Sequence, residues 1–400
     1  MPDRPNILWV VTTQWRAQAT GYAGDANART PWLDGLASEA VDFAQAVTPH
    51  PLGPQARAAL LSGQLCPDNG VRDYWDPLPA DVRTIAHALN DRGYDTAFFG
   101  KWHLSARDRN ALFVGEAHAK QIVPPDRRGG FGLWEGFESG FLLNDPWLHG
   151  TRLPEPRHFK GYQADVLVQR AAEWLRTPRM LPVFCVVSLE APHPPYHAPT
   201  PHVSEPRKSR IELRPNVPVG GEAAAKAREE LAGYYAHIEA TDRAIGKLLT
   251  EADLSGTIVV FTSVHGDMHG SHGLFRKAWP HEESVRVPLL VRFPKGVRKG
   301  RDESPVSLVD LSHMTLAWAE GREWHCKRDH ALISMPAATD IPLQCPHAWR
   351  GFRSAKHKLV LREDGKPWLF FDLESDPLEM KNLAEDPARS GEMEAMRKLM

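Results

Sequence analysis

Cysteine is scarce in this chain and neither sign of charge prevails: 400 residues hold four cysteines, and Lys plus Arg 48 against Asp plus Glu 50 leaves a formal charge of -2. Cys66, Cys185, Cys326 and Cys345 form no Cys-x-x-Cys pair and no finger-like spacing, which gives no support to a disulfide framework or a structural zinc module. Buried free thiols are expected instead. Without a basic surplus or a block of like charge, neither nucleic acid nor an anionic membrane is an expected partner. Long hydrophobic runs are missing too, so no segment is expected to cross a bilayer. The opening Met1-Pro2-Asp3-Arg4-Pro5 passes straight into a strand-like stretch with no leader pattern, and a cytoplasmic protein is expected. Repeats and low-complexity tracts are also absent.

What is present is core-forming material. Apolar content of 42% with 24% charged residues describes a globular chain long enough for one large domain and a smaller appendage. Ile7-Leu8-Trp9-Val10-Val11, residues 94–99, 183–189, Ile258-Val259-Val260-Phe261 and 288–293 read as buried strands without polar alternation. Between them lie helical patterns: one opened by a capping Thr30 and Pro31, one over 56–61 stopped by Gly63, then 84–92, 164–176, 222–251 and 309–319. The proline-rich stretch 49–55 reads as a non-helical loop feeding a helix N-terminus. Strands alternating with helices predict an α/β fold, with a mostly parallel central sheet and helices on both faces. Residues 106–161 read as an irregular rim, with Trp134, Trp147 and Trp349 expected at the surface. From about Cys326 the pattern turns to short strands, 358–361 and 368–371, suggesting a small antiparallel subdomain. The expected division is 1–325 and 326–400.

The strand ends carry the chemistry, as α/β sheets dictate. Thr12-Thr13-Gln14-Trp15-Arg16, Gly100-Lys101-Trp102-His103, Ala191-Pro192-His193 and Ser263-Val264-His265-Gly266-Asp267 each follow a strand. Thr13 and Ser263 have no identifiable His and Asp beside them, so a Ser or Thr nucleophile is not expected.

Nine motifs run in order: Pro5-Asn6-Ile7-Leu8, Thr30-Pro31-Trp32-Leu33-Asp34, Arg57-Ala58-Ala59-Leu60-Leu61-Ser62-Gly63, Gly100-Lys101-Trp102-His103, Pro192-His193-Pro194-Pro195, His265-Gly266-Asp267, Lys277 with Glu282-Glu283-Ser284, Val309-Asp310-Leu311, and Phe371-Asp372-Leu373-Glu374-Ser375-Asp376-Pro377. On these the chain resembles, over nearly its whole length, the formylglycine-dependent sulfatases and phosphonate monoester hydrolases of the alkaline phosphatase superfamily. Gln14-Trp15-Arg16-Ala17 looks like the hydrolase branch. The resemblance implies an alkaline phosphatase-like fold. It also implies a Cys oxidised to a formylglycine nucleophile and a divalent cation held by carboxylates and a His or Asn, with Lys and His neutralising transition-state charge.

This sequence departs from that pattern at its centre. Counting back from Arg57 puts Gly53 in the nucleophile slot, or Leu52 with a one-residue insertion. Thr13 and Val264 stand where the family has Asp ligands, leaving His265 of the set. A hard dication without anionic ligands is not offset for its desolvation, so neither metal nor other cofactor is expected at the inherited position. Arg57, Lys101, His103, His193, His265 and Lys277 keep their motif positions. They are expected to converge in a cationic pocket that holds a small anionic ligand without metal. In that pocket Lys101, His103, His193, His265 and Lys277 take the catalytic positions, while Arg57, Gln14, Thr13 and Trp102 are placed to contact the ligand, packing being the readier role for Trp102. Two other functions stay open. One is a metal-independent hydrolase or transferase acting on a sulfate, phosphate, phosphonate or carboxyl group through His and Lys. The other is a scaffold with a relict pocket. The run His265, Asp267, His269, His272 leaves a rebuilt metal site open, and self-association is open as well.

Overall fold

The computed structural model describes residues 4–294 and 298–400; Met1, Pro2 and Asp3 of the opening stretch lie outside them. Ten strands form one sheet: β1 (Asn6–Thr12), β2 (Val41–Phe43), β3 (Asp95–Lys101), β4 (Leu133–Phe137), β5 (Trp147–Gly150), β6 (Leu153–His158), β7 (Val183–Ser188), β8 (Thr257–Ser263), β9 (Leu289–Arg292) and β10 (Gly300–Asp302). Their order is β10-β2-β9-β8-β1-β7-β3-β4-β5-β6. The stretch β8-β1-β7-β3-β4 is parallel, whereas β9, β5 and β6 pair antiparallel. The helices are α1 (Pro31–Glu39), α2 (Gly53–Ser62), α3 (Ile85–Asn90), α4 (Glu116–Ala119), α5 (Gln163–Leu175), α6 (Gly221–Glu251), α7 (Glu282–Val285), α8 (Asp310–Ala319) and α9 (Ser390–Arg397).

Side-chain alternation along β1 separates two cores. Leu8 and Val10 face a cluster with α1, α5 and α6, while Ile7, Trp9 and Val11 face α2, α3 and α8. Both faces being covered explains why the central strands read as unbroken apolar runs. A second sheet, in the order β11 (His330–Met335), β12 (Trp349–Ser354), β13 (His357–Arg362) and β14 (Pro367–Asp372), is antiparallel throughout.

Three local expectations change. The stretch 106–161 supplies β4, β5 and β6 to the large sheet, so it is not an irregular rim. Trp134 and Trp349 are buried, stacked into the core through Phe98 and hydrogen-bonded to the Ala278 carbonyl, respectively. Helix α2 begins at Gly53, because Pro54 sits in its first turn, where a missing N–H costs nothing. Gly63 ends it in the left-handed conformation, as its sequence position implies. No helix among the described residues is long and apolar enough to cross a membrane.

Candidate functional site

The parallel strands β8, β1, β7 and β3 end side by side, and the segments that follow them surround a cavity of about 490 Å³. Thr13, Gly53, Lys101, His103, His193, His265 and Lys277 all line it. Seven residues singled out from the sequence therefore meet in one place. Four others do not reach it.

Trp102 continues the alternation of β3 and turns away, packing edge-on against Phe98 and Trp134 in the core. It is a packing residue, not a ligand contact. Arg57 lies beneath the cavity floor, donating to Ser188 Oγ at 2.6 Å, to Thr13 Oγ1 at 2.7 Å and to the Lys101 carbonyl at 3.3 Å. It ties together the ends of β1, β3 and β7 and reaches the cavity only through Thr13. Burial pulls its pKa down to about 10, which leaves it charged at neutral pH. Val264 is fully buried in the core beside α2 and α8. Gln14, at φ 73°, stands behind the cavity wall.

Gln14 connects two charged groups. Its Oε1 accepts from Lys277 Nζ at 2.7 Å, and its Nε2 donates to Asp267 and to the Tyr196 hydroxyl. Asp267 Oδ2 also accepts from Tyr196 at 2.6 Å. Burial raises the Asp267 pKa, but His269, Arg276 and the Tyr196 hydrogen bond outweigh it and hold the carboxyl well below the usual range. Lys277 Nζ has a second neutral partner, His193 Nε2, at 2.9 Å. Because His193 Nδ1 lies 2.8 Å from the Pro194 carbonyl, that nitrogen carries the proton and Nε2 accepts. Burial, only partly opposed by Asp267, brings the Lys277 pKa down to about 7.

Lys101 has a different environment. Its Nζ is 2.7 Å from Glu190 Oε1, both side chains being fully buried, and it sits 4.3 Å over the Phe141 ring. Its pKa falls to about 8, burial lowering it against the pull of Glu190. The cation ring expected from the sequence is thus partly neutralised. Glu190 lies two residues past β7, and the strand-end rule that found His193 would have found it; Phe141, stacked on His193, and Tyr74, edge-on to His103, carried no such signal.

The histidines are neutral. Burial holds His103, His193 and His265 well below the ordinary imidazole value, with Lys101, Lys277 and Arg107 adding to the effect. His265 Nδ1 donates to its neighbour's carbonyl at 2.9 Å, and its Nε2 has no partner. His103 has φ 60° and an unpartnered Nδ1. That nitrogen lies 2.9 Å from where a Cβ on Gly53 would stand. Thr13 Oγ1 donates to the Leu189 carbonyl, and Ser263 Oγ donates to the His265 carbonyl, so neither hydroxyl is free to attack.

The dense histidine run does not converge. His265 lines the cavity, and Asp267 turns to Gln14 and Tyr196. His269 packs on Tyr234, its Nε2 3.7 Å from Asp267 and its Nδ1 3.9 Å from Glu230, with neither ring nitrogen hydrogen-bonded. His272 lies apart with Glu283 and Glu379. Glu379 is engaged at both oxygens, by Lys358 and the Glu282 amide, and Glu283 accepts from Arg214 and Asn216 through Oε1, its Oε2 having no partner.

Lysine or histidine at the ends of β3, β7 and β8, around Thr13 after β1, makes this an α/β protein with its site at the carboxyl edge of a mostly parallel sheet. Its family follows from the sequence, for residues 5–321 match Sulfatase and the chain belongs to the sulfatase family. It is 34% identical to the ulvan-active sulfatase of Formosa agariphila, over 96% of this chain and 78% of that one. A Bacteroides fragilis protein assigned as a sulfatase, yidJ, superposes with a TM-score of 0.86 at 24% identity, covering 100% of this chain and 95% of its own. The phosphonate monoester hydrolase of Agrobacterium radiobacter shares the fold at a TM-score of 0.73 and 20% identity, covering 99% and 94%.

Proposed function

We propose that this sulfatase-family chain no longer performs formylglycine and metal-dependent ester hydrolysis, and instead holds a small anion in the inherited cavity. Gly53 carries the proposal. It lines the cavity where the family resemblance puts the nucleophile, and the His103 imidazole fills the space a side chain there would need. The donors also do not suit a hard dication. Thr13 is saturated by Arg57 and Leu189, Val264 is an apolar core residue, and Gln14 Oε1 faces an ammonium. Asp267, the carboxylate at hand, spends itself on Tyr196, Gln14 and the His269 amide. Lys277, paired with neutral groups, remains the cation on which an anion gains most.

Inorganic sulfate is the direct probe. Sulfate is expected to raise the melting temperature of the full chain, the rise disappearing in Lys277→Ala. Aryl sulfate and phosphonate monoester hydrolysis is expected at background with calcium, magnesium or manganese added. Metal-stimulated turnover would refute the proposal. A second reading, metal-independent His and Lys chemistry, is favoured by the 2.9 Å Lys277–His193 contact, which links an amine and an imidazole for proton transfer. Metal-free turnover lost in both Lys277→Ala and His193→Ala would select it.

A further inference from the structure

The cavity changes character between floor and mouth. Lys101, His265, His193 and Lys277 are buried polar groups at its floor. Toward solvent the lining passes to Phe113 and Val114 on one side and Ile341 and Pro342 on another. Phe113 and Val114 are 38% and 53% exposed and Ile341 is half-buried against the C-terminal core, while the neighbouring Leu112 and Leu343, 79% and 47% exposed, extend the apolar surface beyond the lining. Uncovered apolar side chains gathered at a cavity mouth mark a surface that gains from being covered. Against Phe113, Val114, Ile341 and Pro342 a hydroxyl would lose water without gaining a partner, while an alkyl or aryl group would not.

Charge limits the ligand further. The lining cations Lys101, Arg276 and Lys277 face the lining carboxylates Glu205, Glu229 and Glu230. Glu230 grips Arg276 through contacts of 2.7 and 2.9 Å, and Glu190 grips Lys101. Lys277 alone among these three cations has direct partners that are all neutral. Exposed Glu205 stands at the mouth, where a second negative charge on the ligand would meet it.

Resting on the anion-binding reading, we propose that the ligand is a singly charged amphiphile and not a polysulfated saccharide. Its sulfate, sulfonate or carboxylate head meets Lys277, and its alkyl or aryl body runs out between Phe113 with Val114 and Ile341 with Pro342. Calorimetric titration of the full chain with inorganic sulfate, ethyl sulfate, octyl sulfate below its micelle concentration and a disulfated disaccharide tests this. Octyl sulfate is expected to bind about tenfold or more tighter than ethyl sulfate, since six more methylenes leave water. The double variant Phe113→Ser, Ile341→Ser removes that difference and keeps ethyl sulfate affinity within about twofold, while Lys277→Ala abolishes both. Equal affinity for the two alkyl sulfates, a preference for the disaccharide, or octyl sulfate binding that survives Lys277→Ala overturns the amphiphile inference and leaves the binding of inorganic sulfate standing. Failure of every anion, inorganic sulfate included, removes the underlying reading as well.

Discussion

Two lysines of the cavity, Lys101 at the end of β3 and Lys277 in the loop between β8 and α7, are set apart by their neighbours. Lys101 faces a buried carboxylate, and Lys277 faces an amide oxygen and an imidazole. With its pKa near 7, Lys277 is protonated below that pH and neutral above it, so sulfate affinity is expected to be highest at pH 6 and to fall as the pH rises past 7, the bound anion moving the midpoint upward. Titrations at a series of pH values check this. In the ligand-free protein the sign reverses. Between about 7 and the ordinary 10.5 the unfolded chain binds the extra proton, so stability rises with pH across that window. Lys277→Met removes a buried charge and is expected to flatten that rise and to stabilise the empty protein at pH 6 by roughly 1–2 kcal/mol, read by chemical denaturation. At this scale the sequence told which side chains belong to the site, because the strand-end segments of β1, β3, β7 and β8 are local features. It favoured packing for Trp102, which the core contacts with Phe98 and Trp134 match, but did not tell that Arg57 lies under the floor. That depends on where α2 docks.

At the scale of elements, helix α1 shows how a correct boundary can have a different cause. Thr30 stands at the N-cap position, yet its hydroxyl donates to Asp34 and accepts from the Gly21 amide, making no cap bond to the helix. The first-turn N–H groups of Trp32 and Leu33 go to Asp242 of α6, at 3.1 and 2.9 Å. Asp242→Ala therefore leaves two helix-end donors without partners and is expected to cost about 1–2 kcal/mol in urea unfolding. The cap could not be read locally, since donor and acceptor are 210 and 209 residues apart. By contrast, α5, α6 and α8 were legible to within a residue at each end, because apolar periodicity is local.

For the whole molecule, the C-terminal sheet is joined to the large sheet through its interior. Trp349 and Ile333 share a core with Val47, Leu52, Ala278 and Val285. Buried Arg353 and Lys358 reach Glu282 of α7 at 2.9 and 2.8 Å. Ending the chain after residue 325 would expose that core and take from Glu282 both of its cationic partners. The shortened chain is expected to aggregate, whereas the full chain melts in one calorimetric transition. Two separate transitions, or a folded fragment, would contradict this.

Apolar strand runs and helix stops determined by themselves that this is an α/β protein with a mostly parallel sheet, since each expresses a preference of neighbouring residues for one backbone conformation; the likeness to sulfatases rested on the nine motifs. Convergence on one cavity, the pairing of Glu190 with Lys101, the imidazole in the space beside Gly53 and the apolar mouth were decided by tertiary structure alone. Charge compensation and close packing act between side chains brought together from distant parts of the chain, and no local pattern records who the neighbours are.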